Sequence, residues 1–223
     1  MNALAAVVFD LDGTLIDSAP DIHHAVNRLL AAEGRESVPL DAVVGMIGDG
    51  APKLVERAFT ATGAAPASAD LAHLTRRFLA YYQVDSARHT RAYGGVHAVL
   101  GQLRQDDIGL GICTNKPESA THAILEALDL ASFFQAVVGG DSLDGVRKPD
   151  PRALMVVLNR LQVAPGAAIM VGDNANDVQA ARALGMPVVV RAGGYTRVPA
   201  ESLGADAVFA DFAQLPAILS HLR

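Results

Sequence analysis

Two carboxylates close a short apolar run in VVFDLDGTLIDS, residues 7–18: Asp10 and Asp12 stand one residue apart, directly after Val7, Val8 and Phe9. If Ala5–Phe9 is a strand, alternation puts both acids on one side of its carboxyl end with Leu11 turned away. At about 4 Å and an effective dielectric near 20 they would repel by roughly 4 kcal/mol. Such a pair calls for a cation, a shared proton or a hydrogen-bond network. The bland alternative is a helix cap beside a turn residue, roles that Asp often fills.

A second segment repeats the arrangement. In AAIMVGDNANDV, residues 167–178, an apolar run ends in Gly172 and then presents Asp173 and Asp177. Four acids at one strand edge suit Mg²⁺, a hard cation that takes oxygen ligands. The competing reading makes Asp173 or Asp177 the cap of a helix DVQAARAL. Opposite polarity comes from two further stretches. LGICTNKP, 110–117, brings Thr114 and Asn115 to a strand end before a helix start, a natural phosphate cradle or else an ordinary helix cap. VRKPDP places Lys148 just before a helix opening at Pro151; alone it reads as a solvated loop lysine, and beside a phosphoryl group it reads as a positive clamp.

These residues need a frame that gathers strand ends. Apolar runs at 4–9, 108–113, 136–138, 167–171 and 186–190 alternate with helical patterns such as Val96, Val99, Leu100, Leu103 and Leu154, Met155, Leu158, Leu161. That order predicts an α/β fold, a Rossmann-like parallel sheet with helices on both faces. Ligands of such sheets sit at the carboxyl ends of the strands. Residues 18–90 break the rhythm with helical patterns and no convincing strand. The expected organisation is a catalytic core from 1–17 and 91–223, with 18–90 as an inserted helical cap. Within it GMIGDGAPK, 45–53, is the candidate specificity loop, its glycines letting backbone approach a small ligand. Gly48, Gly50, Lys53 and Arg57 are the candidate substrate contacts, with Arg76 and His23 behind them; for each cation a solvated helix surface is the alternative. The loop lacks the GK[ST] ending of a P-loop.

Composition narrows the class. The chain has 223 residues, 51% hydrophobic and 19% charged, which supports a packed core. A net charge of −6 without a block of like charges argues against nucleic-acid binding. Cys113 is the only cysteine, so no intrachain disulfide forms, as in a reducing compartment. It reads as core packing. The N-terminal residues lack a basic n-region and no apolar stretch approaches 18 residues, so neither a signal peptide nor a membrane span is expected. A cytoplasmic location follows as an expectation.

DLDGTLIDS, CTNKP, RKPDP and GDNANDV, in that order, resemble the four motifs of the haloacid-dehalogenase-like superfamily, and the helical insert resembles its first cap type. The resemblance implies that Asp10 is a nucleophile forming an aspartyl-phosphate and that Asp12 is its general acid and base. It implies Mg²⁺ held by Asp10, the Asp12 carbonyl and Asp173, with Asp177 a ligand through water or one layer behind. Thr114, Asn115 and Lys148 would hold phosphoryl oxygens. Dehalogenases and phosphonatases of the superfamily lack the second Asp, and the Arg-rich cap motif of its hexose-phosphate mutases is not found at 45–60. VGMIGDGAPKLVERAF, VVGGDSLDGVRKPDP and the GGY at 193–195 are similar to bacterial phosphoglycolate phosphatases, which implies a small phosphorylated metabolite as partner. The alternatives are another small-molecule phosphatase, a pyrophosphatase or a β-phosphoglucomutase-like enzyme. A non-catalytic binding module is disfavoured because every motif position is filled. Asn174 departs from the Ser or Thr usual there. Monomer and homodimer both stay open.

Overall fold

Val, Ile and Ala crowd the strand segments because a parallel sheet covered on both faces must be apolar on both. The computed structural model describes residues 4–222. Its main sheet is six-stranded, in the order β5-β4-β1-β6-β7-β8, with every pairing parallel. The strands are β1 (Ala6–Phe9), β4 (Gly109–Cys113), β5 (Ala136–Val138), β6 (Ala168–Gly172), β7 (Val188–Arg191) and β8 (Ala207–Phe209). Because β1 lies centrally, the chain runs outward to β4 and β5 on one side and to β6, β7 and β8 on the other. The order reverses at β1, where an open α/β sheet leaves its ligand crevice.

Alternation splits the core. Val7 and Phe9 pack on one face with α5 (Val96–Gln105), α6 (Glu118–Ala127) and α9 (Leu215–His221). Ala6 and Val8 pack on the other with α7 (Pro151–Leu161) and α8 (Ala175–Ala183). Gly111 is required by this packing: a Cβ there would lie 2.4 Å from Val157 Cγ1 on α7.

Between β1 and α5 the chain makes a two-stranded antiparallel ribbon, β2 (Ile16–Asp17) with β3 (Arg91–Ala92). The ribbon brackets a helical insert of α1 (Ala19–Ala32), α2 (Leu40–Val44), α3 (Ala51–Ala61) and α4 (Ser68–Asp85). Ile22, Val26, Leu29 and Leu30 of α1 are buried, as their spacing predicts. So are Leu74, Phe78 and Tyr82 of α4. The returning segment is tied down by buried Asp21, whose carboxylate accepts from His89 N at 2.9 Å and from Thr90 N and Oγ1, each at 2.8 Å.

Two features differ from expectation. β8 and the β2–β3 ribbon were not predicted: β2 and β3 are only two residues long, and β8 lies in a short stretch between Asp206 and Asp211. Strand β1 also ends at Phe9, so alternation does not place Asp12; a turn through Gly13 (φ 81°) does, and Leu11 is fully buried. No helix among the described residues is long and apolar enough to cross a membrane.

Candidate active site

Asp10 stands at the carboxyl end of β1, where its backbone N–H donates to Val171 O at 2.9 Å and ties the turn to β6. Its side chain is buried and faces Lys148, whose Nζ is 2.9 Å from Asp10 Oδ1 and 2.6 Å from Asp177 Oδ1. Asp177 Oδ2 accepts the backbone N–H groups of Asp173 (3.0 Å) and Asn174 (3.1 Å), closing a capping box at the start of α8. Asp177 therefore caps its helix and holds the lysine at once. Asn174, the departure from the motif, supplies the reciprocal half by accepting from Asn176 N at 2.9 Å.

Asp173 completes the cluster. It accepts from Thr14 Oγ1 at 3.2 Å and from Tyr195 N at 2.5 Å. Gly13 and Gly194 make room for it: a Cβ on either would come within 2.5 Å of its carboxylate or Cβ. Carboxylate oxygens of Asp10, Asp173 and Asp177 lie within 4.8 Å of one another, an all-oxygen donor set fit for a hard divalent cation. The electrostatics show the strain of that crowding. Burial pushes the Asp10 carboxyl up to about 6; Lys148 pulls it back and Asp177 pushes it up again. Burial, then Asp177 and Asp10, hold Asp173 well above the usual carboxylate range. Burial works hardest against the Lys148 charge, but Asp10 and Asp177 outweigh it and raise its pKa.

Asp12 faces elsewhere. Lys116 Nζ lies 2.9 and 3.0 Å from its two oxygens, and Ser18 Oγ donates to Oδ1 at 2.5 Å. Lys116 was overlooked in the sequence, although it stands two residues past Thr114 in the same CTNKP turn. Only 6% exposed, it lies over the ring of Tyr82, 4.7 Å from its centroid.

Asp10, Asp12, Thr114, Asn115 and Lys116 form the core side of one small cavity, of about 50 Å³. The insert closes it with Ile22, Ile47, Leu54, Phe78 and Tyr82, and with the backbone of Gly48 and Gly50. Asn115 spends its amide on the seam: Nδ2 donates to Gly48 O and to Lys148 O, each at 2.8 Å. Asn176 Nδ2 reaches Asp49 Oδ1 at 2.7 Å from the other side. Of the predicted substrate contacts, Gly48 and Gly50 line the cavity, whereas Lys53 and Arg57 do not. Helix α3 opens with Ala51 and Pro52, and its register turns Ala51 and Leu54 inward. Lys53 is left to pair with Glu56 at 2.7 Å, and Arg57 to hold Asp49 and Met46 O. Arg76 is exposed on α4, and His23 Nε2 sits 3.0 Å from Val38 O. Cys113 is core, as expected; burial pushes its thiol up to about 12.

Tyr195, from the GGY sequence, joins the cluster to the root of the insert. Its N–H holds Asp173, while its hydroxyl accepts from Ser18 N (2.8 Å) and Ala19 N (2.9 Å) and donates to Asp17 Oδ1 (2.6 Å). A Tyr195→Phe variant leaves buried Ser18 N without its partner and Ala19 N with only Asp17 Oδ1 at 3.3 Å. It should lose about 1–3 kcal/mol of stability in urea unfolding. An unchanged midpoint would show that the phenol does not brace the root of the insert.

Comparison with known proteins identifies the family and the fold. A family model described as haloacid dehalogenase-like hydrolase matches residues 7–191. The chain is 49% identical over 216 residues to a phosphoglycolate phosphatase of Rhodospirillum rubrum, covering 94% of this chain and 88% of the relative. It is 41% identical to a phosphoglycolate phosphatase of Cereibacter sphaeroides, covering 98% and 99%. The crystal structure of a predicted phosphoglycolate phosphatase from Haemophilus somnus superposes with a TM-score of 0.91 at 30% identity, covering 98% and 99%.

Proposed function

Because the chain belongs to the haloacid dehalogenase-like hydrolases, we propose that it is a Mg²⁺-dependent phosphomonoesterase of the cytoplasm that hydrolyses 2-phosphoglycolate to glycolate and phosphate. One observation carries the mechanistic reading. Asp10 and Asp12 line the same cavity, yet each faces its own lysine, Lys148 and Lys116. Two carboxylates in different surroundings can take different roles.

Asp10 attacks the phosphorus in line; the bond to the leaving oxygen breaks and an aspartyl-phosphate forms. Asp12 gives its proton to the departing glycolate oxygen. It then takes one from the water that attacks the aspartyl-phosphate, which frees phosphate and restores Asp10. Lys148, the Thr114 hydroxyl and the Asn115 backbone N–H hold phosphoryl oxygens; the Asn115 side-chain amide is committed to Gly48 and Lys148. Mg²⁺ would be held by Asp10, the Asp12 carbonyl and Asp173, with Asp177 behind them, and supplies positive charge against the crowded anions. The helical insert acts as a cap that excludes water from the cavity.

The names of the relatives support the substrate, and so does the small cavity. The test is a comparison of kcat/KM for 2-phosphoglycolate, pyrophosphate, a hexose phosphate and a nucleoside monophosphate, with Mg²⁺ and with EDTA. The expected result is a preference for 2-phosphoglycolate of ~10-fold or more, lost in EDTA and restored by Mg²⁺. A different best substrate would replace the substrate assignment, and full turnover in EDTA would remove the metal.

A further inference from the structure

Resting on the phosphoglycolate phosphatase reading, we propose that Lys116 Nζ and the Tyr82 hydroxyl together form the subsite that takes the substrate carboxylate. The substrate carries a phosphate dianion at one end and a carboxylate at the other, one methylene from the ester oxygen. Its phosphoryl end belongs beside Asp10 and Lys148. The other end needs a cation inside the same cavity, and among the described residues Lys116 is the one cationic side chain that lines it. The insert contributes apolar side chains and backbone there, not Lys53 or Arg57.

A second observation points to the same spot. The Tyr82 hydroxyl is buried, belongs to a residue lining the cavity, and makes no well-formed hydrogen bond, the nearby Lys116 ammonium lying over the ring. Buried polar groups are rarely left unsatisfied, and those that are often await a ligand or water. Burial pushes the Tyr82 pKa up to about 12, so the phenol remains a donor near neutral pH. An ammonium has three donors. Two of the distances from Lys116 Nζ, 2.9 and 3.0 Å, lead to Asp12, which leaves donor capacity for a second carboxylate. Lys116 comes from the core and Tyr82 from α4 of the insert, so one carboxylate would touch both parts. A phosphate ester without that carboxylate would leave the phenol with only the Lys116 ammonium beside it, and that ammonium with Asp12 as its one anionic partner.

The experiment compares 2-phosphoglycolate with ethyl phosphate, which has a methyl group in place of the carboxylate. The readout is the ratio of kcat/KM between them for the wild type, Lys116→Gln and Tyr82→Phe, each checked for folding by thermal melting. Any disturbance of Asp12 by loss of Lys116 lowers both substrates together and cancels in the ratio. We expect the ratio to fall ~100-fold in Lys116→Gln and ~5–10-fold in Tyr82→Phe, the range for losing a charged and a neutral hydrogen bond to substrate. If Lys116→Gln does not fold, the ratio in Tyr82→Phe, which keeps the Lys116–Asp12 pair, decides. A wild type that does not prefer 2-phosphoglycolate overturns both the substrate reading and this subsite. A wild type that prefers it, with the ratio unchanged in the folded variants, overturns the subsite alone.

Discussion

An Asp10→Asn enzyme should lose turnover by ~10⁴-fold or more, because the amide is a poor nucleophile at phosphorus and no neighbouring group can substitute for it. Steady-state phosphate release measures this, and turnover near the wild-type rate would end the aspartyl-phosphate mechanism. The same variant should melt higher than the metal-free wild type at neutral pH. The wild-type Asp10 carboxyl is pushed from 3.8 to about 6, mainly by burial, so keeping it ionised costs folding stability. The sign fixes the pH window. With the folded value raised, the penalty is absent below 3.8, grows as pH rises, and is complete above about 6. The gain in melting temperature should therefore be largest above pH 6 and fade toward pH 4. A gain independent of pH would place its origin outside this ionisation. Added Mg²⁺ should raise the melting temperature of the wild type more than that of the variant, since a ligand bound only by the folded state stabilises it.

Lys148→Met should damage stability and activity together. The lysine side chain is 1% exposed and pairs with Asp10 and Asp177 together. Methionine keeps much of the aliphatic stem but leaves two buried carboxylates facing each other, a loss of about 3–5 kcal/mol. Removing a preorganised positive charge from the transferring group should also lower kcat/KM by ~10³-fold. Chemical unfolding and steady-state kinetics measure the two effects. The stability deficit should shrink in acid, where the orphaned carboxylates take up protons. A variant as stable as the wild type would mean that the ion pairs merely offset the cost of burying Lys148.

Much of this site was legible in the sequence because strand ends are legible. Asp10, Thr114 and Asp173 follow β-branched or apolar runs, and the rule that parallel sheets bind ligands at their carboxyl edge brings them together without coordinates. Lys148 was readable through the helix start at Pro151. Asp177 was harder, since cap and ligand-side acid share one sequence signature; here one residue satisfies Asp173 N, Asn174 N and Lys148 together. The insert was legible as helices but not as surfaces. Lys53 and Arg57 stand near the specificity loop in sequence, yet only the register of α3 decides which side chains face the cavity. Lys116 was within reach, two residues past a strand end already singled out. Its partner Tyr82 was not, because 34 positions and a change of layer separate them, with no periodic signal to span the gap.

The three strands that deliver the acids and the phosphate-facing turn are β4, β1 and β6, side by side in the sheet but none adjacent in sequence. Their register pairs Ala6 with Gly109 on one side and with Ala168 on the other. No hairpin or other local contact can bring Asp10 near Asp173, so a nascent or partly folded chain carries these charges far apart and well hydrated. Their mutual repulsion arises only as distant segments join, and long-range parallel pairing is the slow part of assembly. The chain thus meets the cost of a functional cluster only when the central strands of its sheet join.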